Sequence, residues 1–196
     1  MKVIGISRGI LIVLSPFILL FGVTDQSYTG GILMVTEMPP TVREQYPFQD
    51  HYLKINGRIM HYLDEGDGFP ILLLHGNPTW TFLYRKFIPI LVEAGYRVIS
   101  PDLIGLGMSE KPCNDYYNSL LHHASNLDQL VNKLDLKNVT LVMQDWAGPI
   151  GLGYVTRRRE NVKAMLLMST WAWTDVSPFH SSLFPWRMMH APVVGP

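Results

Sequence analysis

The sequence predicts an α/β protein that is built on a mostly parallel sheet. Four runs of the chain are apolar almost throughout, and they alternate with segments whose apolar residues recur at helical spacing. Strands of a parallel sheet are covered on both faces, so apolar side chains occupy successive positions in them. A chain of 196 residues, 47% of them hydrophobic, is long enough to bury a core in such a domain.

The first elements follow from turn and periodicity signals. Two short strands in HYLKINGRIMHYLDEG are joined at Asn56-Gly57, the strongest short signal for a β-hairpin. A buried strand at Ile71–His75 then runs into the turn chemistry of HGNP. After that turn we expect a helix with one apolar face. The residues predicted for that face are Phe82, Leu83, Phe87, Ile90 and Leu91.

The remaining elements repeat this alternation. YRVIS is a strand that leads into a loop broken by Gly105 and Gly107, and a helix is predicted from Tyr116 to Leu134. NVTLVMQD is the next strand, a helix follows from about Gly148 to Arg158, and VKAMLLMST is the last strand. Residues 171–196 are rich in aromatic residues, Met and Pro, which favours the beginning of an inserted lid over a hydrophobic loop.

Composition and charge narrow the class of partner. The chain has 16 basic and 16 acidic residues, and its formal net charge of zero gives no reason to expect nucleic acid as a partner. A small neutral ligand fits this balance better. Cys113 is the single cysteine, so no internal disulfide forms. It has no histidine beside it in the sequence, so we do not expect it to be a thiol nucleophile.

The first 33 residues differ in character from the rest. Lys2 and Arg8 precede an apolar stretch from Gly9 to Val23, which has the form of a signal peptide and is shorter than the about 20 residues of a membrane span. The alternative is a spurious extension ahead of a true start at Met34 or Met38. The first interpretation predicts export to the periplasm or membrane anchoring, and the second predicts a cytoplasmic protein. Membrane contact is expected only through this segment.

Polar residues at the ends of the predicted parallel strands are candidates for a site, because ligands bind beyond those ends. Asn77, Asp102 and Asp145 each follow such a strand. Asp145 lies where a sharp turn between strand and helix lifts one side chain above the sheet and the helix N-terminus favours negative charge. The pattern glycine-x-nucleophile-x-glycine is not met, because Met143 and Ala147 occupy the glycine positions. These residues alone leave Asp145 two roles, nucleophile or helix N-cap.

Three separated segments resemble haloalkane dehalogenases, a branch of the α/β-hydrolase fold. They are LLLHGNPTWTFLYR, PDLIGLGMSEKP and VMQDWAGPIGL, and LLMSTWAW is similar to the next segment along the chain in that family. The resemblance runs from about Tyr46 to the last residue, with Ala147 where a glycine is usual. It implies an incomplete α/β-hydrolase fold, with residues 34–170 as the N-terminal part of the core and residues 171–196 as the start of the lid. Residues 1–33 would lie outside that core.

The resemblance also implies roles for three residues. The Asp145 carboxylate would attack the carbon that bears the halogen and form an alkyl-enzyme ester, a step that needs no base. The Asn77 side-chain amide and the Trp146 indole N–H would donate to the departing halide, each donor contributing about 3 to 4 kcal/mol. The Trp146 backbone N–H would contribute to an oxyanion hole for the ester. The plainer alternatives are a core tryptophan and an Asn-Pro turn.

The implied substrate is a small apolar halogenated molecule, and we expect neither a cofactor nor a metal ion. His75 is interpreted as holding its turn rather than as a general base, and Asp102 as part of a turn-forming loop. His122 and His123 are adjacent on a helix and point in different directions, so they do not form a metal pair. Several aromatic residues could line an apolar pocket. They are Trp171, Trp173, Phe179, Phe184 and Trp186.

Hydrolysis of the ester requires a histidine base and an orienting acid, and in this fold the histidine comes last in the chain. His180 and His190 are the histidines after Asp145, and neither follows a further strand. Asp175 is not expected to be the acid. We therefore predict an N-terminal part of a dehalogenase that does not turn over by itself. An epoxide hydrolase and a non-catalytic remnant that acts by binding are the alternatives.

Overall fold

A computed structural model describes residues 32–33, 37–112 and 119–172 of the chain. Its strands are β1 (Ile32–Leu33), β2 (His51–Ile55), β3 (Arg58–Glu65), β4 (Phe69–Leu74), β5 (Tyr96–Pro101), β6 (Lys111–Pro112), β7 (Val139–Asp145) and β8 (Val162–Thr170). Its α-helices are α1 (Pro40–Arg43), α2 (Phe87–Glu93), α3 (Leu120–Lys133) and α4 (Ala147–Val155). Two 3₁₀ turns cover Thr81–Tyr84 and Arg159–Asn161.

Six strands form the main sheet, in the order β2-β3-β5-β4-β7-β8. β5, β4, β7 and β8 run parallel to one another, while β3 pairs antiparallel with both β2 and β5. β1 and β6 form a separate antiparallel pair. The prediction of a mostly parallel sheet that alternates with helices is confirmed.

The hairpin of β2 and β3 turns at the predicted dipeptide. Asn56 and Gly57 have φ angles of 47° and 83°, and both values lie in the left-handed region that a two-residue hairpin turn of type I′ requires. Ile55 pairs with Arg58 directly across this turn. The hairpin prediction is therefore confirmed, and it brings β3 alongside β5.

The helical region after β4 differs from the prediction. A 3₁₀ turn and the short helix α2 take the place of one continuous helix, and a different set of side chains is buried. Thr81, Tyr84 and Ile88 face the core, whereas Phe87 and Ile90 of the predicted apolar face are 52% and 66% exposed. The error arose because the break between the two short helices shifts the helical period by which the face was assigned.

The core lies on both faces of the sheet. On one face, the β7 side chains of Val139, Leu141 and Met143 pack with the buried sides of α3 and α4. On the other face, Leu73 and Val98 pack with residues from the chain around α2. β8 is less covered, since Met165, Leu166 and Leu167 are each about half exposed. No helix among the described residues is long and apolar enough to cross a membrane.

Several sequence predictions fall outside the described residues. They concern the segment 1–31, Met34, Cys113, Trp173, Asp175, Phe179, His180, Phe184, Trp186 and His190. The predicted helix from Tyr116 is described only from its N-cap, Ser119, whose side chain accepts a hydrogen bond from the His122 backbone N–H.

Candidate active site

A one-residue turn separates the end of β7 at Asp145 from the start of α4 at Ala147. Asp145 has a φ of 55°, in the left-handed region that non-glycine residues seldom adopt. Such a sharp turn between a strand and a helix raises one side chain above the edge of the sheet. The N-cap of α4 is Trp146 and it makes no side-chain cap hydrogen bond, so Asp145 does not act as the helix N-cap.

The carboxylate of Asp145 contacts the loop after β4. Its Oδ1 atom accepts a hydrogen bond of 2.9 Å from the backbone N–H of Asn77. Its Oδ2 atom makes no hydrogen bond to another described residue. A Cβ atom at Gly76 would lie 2.3 Å from the Cβ and Oδ1 atoms of Asp145, so only glycine fits there. The structure therefore brings Asn77 and Asp145 into direct contact across two parallel strands.

The approach of α4 to the sheet depends on small residues. The Thr170 hydroxyl donates to the Asp145 carbonyl oxygen, and a Cβ atom at Gly148 would lie 1.9 Å from that hydroxyl. Ala147, which departs from the glycine of the elbow pattern, is fully buried in the first turn of the helix. An alanine therefore fits at position 147, whereas position 148 must be glycine because a Cβ atom there would clash with Thr170.

The two predicted halide donors come from different parts of the chain, one from the loop after β4 and the other from the turn after β7. Trp146 follows Asp145 directly, and its ring is half-buried against the core. Asn77 is also half-buried and makes no side-chain hydrogen bond to another described residue. Neither the indole N–H of Trp146 nor the amide of Asn77 has a hydrogen-bond acceptor among residues 37–112 and 119–172. Both groups are therefore free to donate to an anion.

His75 has both ring nitrogens engaged in its own turn. Nδ1 donates to the Gly76 carbonyl oxygen at 2.8 Å, and Nε2 accepts from the Leu103 N–H at 2.9 Å. Burial lowers the pKa of His75 despite the opposing charges of Asp102 and Asp145, so the ring is neutral. This geometry agrees with a structural role and leaves no ring nitrogen for general-base chemistry.

Asp102 forms the centre of a buried hydrogen-bond network, a larger role than the turn residue that the sequence predicted. Its Oδ1 atom accepts from the Thr81 N–H, and its Oδ2 atom accepts from the Met108 N–H and from His61 Nδ1, all at 2.8 Å. Burial alone would raise the pKa of Asp102, but the hydrogen bond and the charge of His61 lower it below its ordinary value. Asp102 thus joins the loop after β4 to β3 and to the loop after β5.

The network continues toward the N-terminal side of the described chain. His61 Nε2 lies 3.1 Å from Asp50 Oδ1, and Arg43 donates to Asp50. Tyr46, which lies between those two residues in the chain, forms a hydrogen bond through its hydroxyl to the Thr81 side chain. His61 was not among the residues singled out from the sequence. The available signal was a histidine inside the otherwise apolar strand sequence IMHYL.

The adjacent histidines of α3 lie in different environments. His122 contacts the Ser119 hydroxyl at the helix N-terminus, whereas His123 is buried. Among the described residues, no group of three His, Cys, Asp or Glu side chains is placed to hold a metal ion. Trp171 is half-buried, and the other aromatic residues predicted to line a pocket lie outside the described residues.

Comparison with protein families agrees with this architecture. A family model described as "alpha/beta hydrolase fold" matches residues 70–190. A haloalkane dehalogenase of Psychrobacter cryohalolentis is 48% identical over 117 residues, which cover 56% of this chain and 39% of the relative. A cis-3-alkyl-4-alkyloxetan-2-one decarboxylase of Shewanella oneidensis is 39% identical over 142 residues, covering 70% of this chain and 44% of the relative.

Solved structures give a similar result. The haloalkane dehalogenase of Paraglaciecola agarilytica superposes with a TM-score of 0.67 at 36% identity, over 74% of this chain and 54% of that one. The epoxide hydrolase CorEH superposes with a TM-score of 0.63 at 31% identity, over 72% of this chain and 50% of that one. The chain thus spans about half the length of these proteins, or somewhat less.

Proposed function

The chain belongs to the α/β-hydrolase fold family, and on that premise we propose that it carries the nucleophile and halide donors of a haloalkane dehalogenase-like hydrolase. Asp145 is the nucleophile, and Asn77 and Trp146 bind the leaving halide. The hydrogen bond between the Asn77 N–H and Asp145 Oδ1 carries the proposal. It holds a carboxylate at a sharp strand-to-helix turn and leaves its second oxygen without a partner among the described residues.

The first chemical step is a displacement at carbon. Asp145 Oδ2 attacks the carbon that bears the halogen, a carbon–oxygen bond forms, and the carbon–halogen bond breaks with its electron pair leaving on the halide. Negative charge therefore moves from the carboxylate to the leaving atom, where the Trp146 indole N–H and the Asn77 amide donate hydrogen bonds. A preorganised donor to charge that develops in the transition state contributes about 3 to 4 kcal/mol.

The second step hydrolyses the ester. Water attacks the Asp145 carboxyl carbon and loses a proton to a base, and negative charge develops on Oδ1. The bond from that carbon to Oδ2 then breaks, the leaving oxygen takes up that proton, and the alcohol is released while Asp145 regains its carboxylate. Oδ1 already accepts the Asn77 backbone N–H, so this N–H acts as an oxyanion-hole donor. The attacking water needs a base, and His75 cannot serve because both of its ring nitrogens are engaged.

The proposal predicts that one bromoalkane molecule alkylates one chain and that the ester then persists. Intact-mass measurement after incubation with 1-bromobutane should show a single butyl adduct, and peptide mapping should locate it at Asp145. Asp145→Asn should abolish the adduct, since an amide is not nucleophilic and Asn tolerates the positive φ. Asp135→Asn is the matched control, because Asp135 also has a positive φ but lies exposed.

The outcomes separate the hypotheses. An adduct that survives in Asp145→Asn contradicts the role of Asp145, and a folded chain that gives no adduct supports a non-catalytic role through binding. Continuous bromide release would contradict the prediction of a persistent ester, because the chain would then supply its own base.

Epoxide opening is a second candidate function, supported by the likeness to solved epoxide hydrolases. The same carboxylate would attack an epoxide carbon, but the alkoxide so formed must gain a proton, whereas a halide need not. Tyr84, a buried tyrosine that follows the loop after β4, donates its hydroxyl to the Leu74 carbonyl oxygen and is therefore not free to protonate the alkoxide. Incubation with 1,2-epoxybutane tests this function by the mass of its adduct. Oxetan-2-one is tested in the same way, because one relative of this chain is a decarboxylase of substituted oxetan-2-ones.

A further inference from the structure

His123 is a buried polar residue that the proposed reaction does not use. It lies on α3 and is only 2% exposed. Its Nδ1 atom is buried and has no hydrogen-bond partner among the described residues. A buried polar atom without a partner is destabilising, so its presence calls for an explanation other than hydrogen bonding.

The ring of His123 contacts the indole of Trp146. Their centroids are 6.4 Å apart and their planes are inclined by 62°, an edge-to-face arrangement within the range of favourable aromatic pairs. The Trp146 ring is itself only half-buried, and its residue makes the one-residue turn between Asp145 and α4. The contact with His123 therefore adds to the partial packing of the Trp146 side chain on the core.

The neutral form of the histidine suits this position. Burial, with smaller contributions from the neighbouring His75 and His122 rings, lowers the pKa of His123 to about 4, so the ring carries no charge at neutral pH. A neutral ring neither draws the halide away from the indole N–H nor repels the partially positive ring edge of Trp146. His122 takes no part in this contact, since it lies against Ser119 at the start of the helix.

We propose that His123 is a positioning residue for Trp146, which aims the indole N–H at the leaving halide through the edge-to-face contact between the two rings. The inference rests on the proposed function of Trp146 as a halide donor. An aromatic pair of this kind corresponds to about a two- to tenfold change in an equilibrium constant, so removal of the ring should weaken halide binding by that factor.

The experiment uses the full chain and two variants of the same residue. His123→Ala removes the ring, and His123→Phe restores a ring of similar size without the unpaired nitrogen. Circular dichroism first establishes that each protein is folded at the working temperature. The Trp146 indole N–H signal in a ¹H–¹⁵N NMR spectrum, assigned by its loss in Trp146→Phe, then reports the position of the indole. Titration with sodium bromide at constant ionic strength gives the dissociation constant.

We expect His123→Ala to shift or broaden the indole signal and to weaken bromide binding about two- to tenfold, and His123→Phe to restore both properties. Unchanged bromide affinity in folded His123→Ala would overturn the inference, as would equal weakening by Ala and Phe. His122→Ala is the control and should leave the affinity unchanged. If the chain without substitutions shows the indole signal but no response to bromide, the proposed halide site is wrong. That outcome differs from one in which bromide binds and the His123→Ala variant binds it with the same affinity.

Discussion

The loop after β4 and the turn after β7 bring their polar groups to the same edge of the sheet, but they are held in different ways. Residues 75–81 of the loop are fixed by side chains from elsewhere, chiefly the buried carboxylate of Asp102 and the hydroxyl of Tyr46. The turn at Asp145 is fixed by its backbone conformation and by the close approach of Gly148 to Thr170. The loop depends on buried hydrogen bonds to a carboxylate, and the turn depends on residues small enough for a close approach of helix and strand. The two regions should therefore respond to different substitutions.

The largest effect is expected from Asp102→Ala. The substitution leaves His61, the Thr81 N–H and the Met108 N–H without their acceptor in a fully buried place. Breaking one side of a buried ionic network costs about 3 to 5 kcal/mol of unfolding free energy. Urea unfolding measures the loss. Lys137→Ala, which removes an exposed ion pair with Asp135, is the control and should cost at most about 1 kcal/mol.

Acid should change the contributions of His123 and Asp102 to stability over different pH ranges. Because the pKa of His123 is lower in the folded chain, the unfolded chain binds a proton at a pH where folded His123 stays neutral. The free energy of unfolding therefore falls as pH drops from 6.5 to about 4. The loss amounts to about 3 kcal/mol when complete. The pKa of Asp102 is also lowered in the folded chain. Ionised Asp102 therefore contributes its full stabilisation above the ordinary aspartate pKa of 3.8, and this contribution is lost only at lower pH.

His123→Phe tests this separation. The variant should show a flatter dependence of unfolding free energy on pH between 6.5 and 4, while its behaviour below pH 4 stays like that of the unchanged protein. Urea unfolding at a series of pH values measures both ranges. The same slope in both proteins between pH 6.5 and 4 would mean that His123 is not the group responsible.

Gly76→Ala should couple the two regions sterically. The new Cβ atom would lie 2.3 Å from Asp145, so the loop or the turn must move, at a cost of about 1 to 3 kcal/mol. Loss of the Asn77 N–H contact should also slow alkylation of Asp145. The double variant Gly76→Ala with Asp145→Gly removes the opposing side chain, and glycine accepts the φ of 55°. If the stability cost of Gly76→Ala persists in that background, the clash is not its cause.

The smallest effect is expected from Ala147→Gly, which restores the glycine of the elbow pattern. Ala147 is buried in the first turn of α4, and glycine in a helix costs up to about 1 kcal/mol relative to alanine. The rate of Asp145 alkylation should stay within about twofold of the original, since the free-energy change is local and small. A large gain in rate would show that the alanine methyl group strains the turn.

Much of the fold was predictable because the relevant signals are local. The four parallel strands, the hairpin at Asn56-Gly57 and the helices after β5 and β7 follow from runs of apolar residues and turn chemistry within a few positions. A helix does follow the loop after β4, but its buried face was predicted wrongly, because Phe87 and Ile90 fit an apolar period that the break before α2 interrupts. The predicted roles of Asn77, Asp145 and Trp146 stay proposals that the alkylation and bromide experiments test.

The sequence by itself determined the strand order along the chain, the sharp turn at Asp145 and the family, since apolar runs and short motifs encode them. Only the tertiary structure decided which polar groups meet. The contact of the Asn77 N–H with Asp145 spans 68 residues, and those of Asp102 with His61 and of His123 with Trp146 likewise join separate elements. Such contacts depend on strand order in the sheet and on side-chain burial, which no local pattern specifies.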